Sequence, residues 1–172
     1  MIDSLRGDKK APLEMLFFCR KLRGQVAFLG VEQKLSQKEN NVDEDIMRCL
    51  KTSLEDLRFC SNYLDQFSFG TDRALKLYHV WHDQATANLT LAEVELILGK
   101  RKGATKHLAD CRGMIDRMTE ARSRGVKMPE PSFLAKRLTT IQEQLDSSEV
   151  GLTSGRSDSA RRRDSKEIPR SG

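Results

Sequence analysis

Proline is scarce in this 172-residue chain: there are four, and none falls between Pro12 and Pro129. Proline removes an amide donor and clashes with the preceding helical turn, so a proline-free interval rich in Leu, Glu, Lys, Arg and Ala reads as helix. Apolar and polar residues nowhere alternate at period two, which argues against strands. A long hydrophobic run is missing as well. Nothing approaches the roughly 18 apolar residues that cross a bilayer, and "PLEMLFFC" is interrupted by Glu14 and followed by Arg20 and Lys21. The same stretch has no small-residue cleavage site, so no signal peptide is expected.

Cysteine and histidine are few. Cys19, Cys49, Cys60 and Cys111 are widely spaced among apolar residues, a pattern of reduced core thiols in the cytoplasm or nucleus, not of a secreted disulfide framework. The histidines are His79, His82 and His107. His79 and His82 share a helix face with Asp83 near it, but no cysteine pair lies at ligand spacing and no Glu-x-x-His occurs, so neither a metal nor a cofactor is expected. His107 precedes Cys111 by one helical turn, yet Cys111 sits on an apolar stripe, where a thiol packs and does not react. No catalytic constellation results, and a non-enzymatic role is expected.

What is present is charge and helical periodicity. Hydrophobic residues make up 38% and charged residues 32%, with a mean hydropathy of -0.57 and a formal net charge of +5. Met15, Phe18, Leu22, Val26 and Leu29 place an apolar face on a first helix from about Pro12 to Leu35. Ile46, Leu50, Leu54, Leu57 and Leu64 do so on a second. A third helix, from about Asp72 to Leu98, carries Leu77, Trp81, Ala85, Leu91, Val94 and Leu98 over several faces, which predicts neighbours on more than one side. Ala104, Leu108, Cys111, Ile115 and Met118 mark a fourth, and Ser132 caps a fifth bearing Leu134, Leu138, Ile141 and Leu145.

The elbow between the third and fourth helices reads "LILGKRKGATKHLADC". It is crowded with glycine and lysine but is not a phosphate loop: three residues, not four, separate Gly99 from Gly103, Ala-Thr follows where Lys-Ser/Thr belongs, and the flank is helical where that motif needs a strand. Leu91 and Ala92, a turn at Gly99, then Ala104, Leu108 and Cys111 in small, large, small order resemble one degenerate tetratricopeptide unit, around residues 85–118. The resemblance implies two antiparallel helices held close by small residues, within a helical-repeat array. The fold expected is therefore all-α: an antiparallel four- to five-helix bundle or a divergent tetratricopeptide-like array over residues 11–146. A flexible N-terminus (1–10) precedes it, and a disordered basic Ser/Arg-rich tail (147–172) follows.

Basic residues gather at Lys100, Arg101, Lys102 and Lys106, the candidate interaction patch, and in the tail, where Arg162-Arg163-Asp164-Ser165 resembles a basophilic kinase site with Ser165 as acceptor. The expected role is a protein–protein interaction module: an adaptor, scaffold or subunit of a larger complex. Phe17, Phe59 and Phe69 are read as exposed anchors for its partner. The alternative is a nucleic-acid-binding protein that uses the patch at 100–106 and the basic tail; no aromatics are interleaved there to stack bases.

Overall fold

The computed structural model describes residues 4–36, 44–67 and 70–157. Within them the chain forms five helices and no strand: α1 (Ser4–Ser36), α2 (Glu44–Phe67), α3 (Gly70–Ile97), α4 (Arg101–Ser123) and α5 (Ser132–Ser157). The all-α bundle is as expected. α1 begins inside the stretch read as a flexible N-terminus and runs through Pro12, which withholds one amide bond without ending the helix. α5 continues past residue 146, because lengthening a helix already anchored by packing is easier than nucleating one. Ser165 and the rest of the expected tail lie outside the described residues, as does Phe69.

α3 is the axis of the molecule and touches each of the other four helices. Its Ala87, Leu91 and Val94 pack with Phe28 and Val31 of α1 and with Ile46, Leu50, Leu54 and Leu57 of α2. On nearly the opposite side, Ala85, Leu89 and Ala92 pack with Ala104, Leu108 and Cys111 of α4 and with Leu134, Leu138 and Ile141 of α5. Toward its N-terminus, Leu77 and Val80 join Phe17, Cys60, Tyr63 and Leu64. Most of the many-faced apolar pattern of this helix is thus consumed by its neighbours, with Leu75 and Ile97 left exposed near its ends. Asn88 and Thr90, whose spacing matches a glycosylation sequon, are buried in the same helix.

Two turns are made by the main chain itself. At the end of α3, Gly99 takes φ +69°, its N–H donates to the Leu96 carbonyl at 3.0 Å, and Lys100 N–H donates to the Glu95 carbonyl at 2.7 Å. Gly125 repeats the device after α4 with φ +95°, donating to Arg122 while Val126 donates to Ala121. These are Schellman closures, which favour glycine because a Cβ is strained at positive φ.

Polar side chains fix α1 against α2. The Arg23 fork holds the buried Asp56 carboxylate, Nε at 2.6 Å and Nη2 at 2.7 Å, and Asp56 in turn raises the pKa of Arg23, first through that hydrogen bond. Ser53 Oγ donates to the Gly24 carbonyl at 2.6 Å. A Cβ on Gly24 would lie 3.2 Å from both Leu57 Cγ and the Ser53 carbonyl, so glycine is what permits this approach. Only two of the four thiols are core: Cys60 and Cys111 are buried, which pushes each pKa up to about 12. Cys19 and Cys49 are exposed, because each falls on the outer side of its helix despite apolar neighbours in sequence.

Candidate functional site

The apolar stripe read on the first helix is real, but it faces outward. Met15, Phe18, Leu22, Val26 and Leu29 are each between 56% and 69% exposed, whereas Phe17, Phe28 and Val31 of the same helix are buried. α1 therefore has two apolar faces, and α2 and α3 cover only one. The second face continues into a groove of about 870 Å³ between α1, α3 and α5. Leu22, Val26 and Leu29 form one wall and Phe133 of α5, 73% exposed, stands on the other. A contiguous exposed apolar face rimmed by polar residues marks a contact surface.

The floor of the groove is polar and acidic. Arg137 of α5 forks onto Glu93 of α3, Nε to Oε1 at 2.9 Å and Nη2 to Oε2 at 2.6 Å, and its Nη1 reaches Glu32 of α1. Thr90 Oγ1 donates to Glu32 Oε1 at 3.0 Å. Burial works to lower the pKa of Arg137, but the hydrogen bonds and charges of Glu93 and Glu32 outweigh it and raise the value, so the guanidinium stays charged. This one side chain reaches from α5 across the groove to α1. Further along, Gln25 Nε2 donates to Asp83 Oδ2 at 2.7 Å. Burial raises the Asp83 carboxyl above the usual range, opposed by that hydrogen bond. Glu32, Glu93 and Asp83 against Arg137 leave the lining with an excess of acid.

Comparison with family models, with curated proteins and with solved structures found no match.

The residues singled out from sequence are placed elsewhere. Lys100 and Lys102 are exposed at the α3–α4 elbow, and Lys106 is exposed one turn into α4. Arg101 is half-buried and turns inward, its Nη2 donating to the Leu145 carbonyl of α5 at 2.5 Å, so it acts as a brace within the fold. Of the aromatic anchors, Phe17 is buried against Tyr63, and Phe59 is half-buried beneath the Arg20 guanidinium, 4.3 Å from its centroid. Among the described residues the exposed phenylalanines are Phe18 and Phe133.

His79 and His82 are exposed, with His82 at the rim of the groove. His107 belongs to a half-buried polar knot between α3 and α4. Asn88 Nδ2 donates to the Gln84 carbonyl at 3.0 Å, which leaves Oδ1 as an acceptor and makes His107 Nδ1, at 2.9 Å, the protonated nitrogen. His107 Nε2 then faces Glu95 Oε2 at 3.9 Å. A Cβ on Gly103 would fall 1.9 Å from that oxygen, so Gly103 makes room for the carboxylate. Burial lowers the pKa of His107, partly offset by Glu95.

Proposed function

We infer that this chain is a non-enzymatic protein–protein interaction module, an adaptor, scaffold or complex subunit, that receives a helix of its partner in the groove between α1, α3 and α5. One observation carries the reading: five large apolar side chains of α1 point into water at helical spacing. An amphipathic helix laid along them would bury an apolar stripe against Leu22, Val26 and Leu29 while its flanks meet the acidic floor, so the partner helix carries Lys or Arg beside its apolar face. The tetratricopeptide-like reading is part of the same proposal. α1, α3 and α5 would be the helices lining the receptive side, and the α3–α4 pair with its Gly99 turn would be one unit. A cytoplasmic or nuclear setting, where Cys19 and Cys49 stay reduced, fits this role.

The nucleic-acid alternative draws its support from Lys100, Lys102 and Lys106, since Arg101 is engaged within the fold. The two readings separate in one experiment. The tagged 172-residue chain should retain a stoichiometric partner that is lost with Leu22→Asp/Val26→Asp and kept with Lys100→Glu/Lys102→Glu, both variants remaining helical by circular dichroism. Retention by the α1 variant would remove the groove from the proposal. Nuclease-sensitive, salt-sensitive binding lost only with the lysine variant would favour nucleic acid.

A further inference from the structure

At the end of the bundle away from the α3–α4 elbow lies a second groove, of about 960 Å³. The first turns of α3 and the last turns of α4 form its walls, and Val126 and Lys127 of the following connector close one side. Tyr78 pins that connector by donating its hydroxyl to the Pro129 carbonyl. The groove is therefore built from anchored segments, and its chemistry is opposite to that of the α1 groove.

Two donors here have no acceptor. Arg73 Nε and Trp81 Nε1 are buried atoms without a hydrogen-bond partner, and both residues line the groove. A buried N–H left unmet is costly, and both atoms are closed to solvent, so an acceptor entering the groove meets them as the lining side chains shift aside. The surrounding charge agrees. Arg73, Arg117, Arg124 and Lys127 face Asp65 and Glu120, four cations to two carboxylates. Those carboxylates are engaged, Asp65 by Arg73 Nη2 at 2.6 Å and Glu120 by Arg124 Nη2 at 2.5 Å, which leaves the charges of Arg117 and Lys127 in excess.

Donor spacing defines the ligand. Arg73 and Trp81 stand eight residues apart on α3, about 12 Å at the helical rise, far beyond the span of one carboxylate or phosphate. An extended peptide rising about 3.3 Å per residue covers that distance with roughly four residues. Ala74, Ala121 and Val126 give it apolar wall to lie against. We propose that this groove binds an extended acidic peptide segment of a partner protein, its acceptors meeting Arg73 Nε and Trp81 Nε1 and its carboxylates meeting Arg117 and Lys127. The chain's own tail is a poor occupant, since Arg161, Arg162 and Arg163 repeat the sign of the groove. A nucleic acid strand fits less well, because phosphates would run past Asp65 and Glu120 and successive bases would find a single aromatic platform.

The test uses the full chain, whose one tryptophan is Trp81. The fluorescein-labelled peptide Glu-Asp-Leu-Glu-Asp-Leu-Glu-Asp should bind at low salt, raise the label's anisotropy and shift Trp81 emission. Arg117→Glu/Lys127→Glu should weaken it about tenfold or more, while Lys100→Glu/Lys102→Glu, an equal change in net charge at the other end of α4, should stay within about twofold. Trp81→Phe keeps a ring but removes the N–H and should weaken anisotropy-detected binding several-fold with helicity retained. Absence of binding by the wild type, equal binding of the same peptide with lysine for each acid, equal loss in both charge-reversal variants, or tighter binding of an oligo(dT) strand would each overturn the proposal. None of these outcomes depends on the α1 groove, so the two readings stand or fall separately.

Discussion

α1 and α3 are both long helices with apolar residues on more than one face, and the bundle treats them oppositely. α3 spends apolar residues of several faces on neighbours: Leu91 toward α1 and α2, Leu89 toward α4 and α5, Val80 toward the Phe17 cluster. α1 spends one face on α2 and α3 and leaves Leu22 and Val26 in water. Excess apolar surface therefore means centrality in one helix and an open contact surface in the other. Position in the bundle decides which, and periodicity alone does not.

The contrast is sharpest in stability. Leu91→Ala should lower the unfolding free energy by about 2–5 kcal/mol, because the cavity opens at the centre of two packed layers. Leu22→Ala should change it by about 0.5 kcal/mol or less, since that side chain already meets solvent. Urea denaturation of the two variants checks this, and comparable losses would mean that the outer face of α1 is covered. Two glycines probe the same helix with a smaller effect. Gly24→Ala should destabilise by about 1–3 kcal/mol, because its Cβ presses on the Ser53 carbonyl, which cannot yield as a side chain would. Gly30→Ala meets no atom within 4 Å and should stabilise by about 0.5–1 kcal/mol through helix propensity. A thermal melt that ranks them in the reverse order would exchange the two faces.

Acid should act on α3 and α4 and spare the open side of α1. Burial depresses the pKa of His107 in the folded state, so the unfolded chain takes up the proton first, near the ordinary value of about 6.5. The stabilising contribution is thus whole above that pH and is lost as pH falls through the lower folded value. Denaturant midpoints measured between neutral and mildly acidic pH should fall for the wild type and fall less for His107→Gln, which keeps a donor for Asn88 without titrating. Identical slopes would show that the knot of Asn88, His107 and Glu95 does not report on pH.

Much of the fold was legible in the sequence. The buried stripes of α2 and α5 match the residues read from spacing, and α4 departs only at Ile115, which is half-buried. The spread of apolar positions along α3 forecast its several neighbours. α1 was legible as a helix but not in orientation, because Met15-Phe18-Leu22-Val26-Leu29 is as regular as the stripe that packs. The distinguishing cue was Gly24, in line with Phe17, Phe28 and Val31, since a glycine within an apolar stripe marks where another helix comes close. Phe17 and Phe18 show the limit: adjacent rings in sequence, one buried and one in water. Arg101 could not be read from its basic neighbours, because its acceptor, the Leu145 carbonyl, lies 44 residues along the chain.

Arg137 gives the α1 groove a mechanical character. It ties α5 to α1 through Glu32, so it works as a latch between two panels hinged on α3. With the latch fastened, groove width is set by the reach of one guanidinium fork, and a visiting helix meets a slot of fixed gauge. Unfastened, the α1–α2 pair would be held by α3 and by Arg58 on Asp110 of α4, away from the groove, and the same apolar wall would belong to a door instead of a slot.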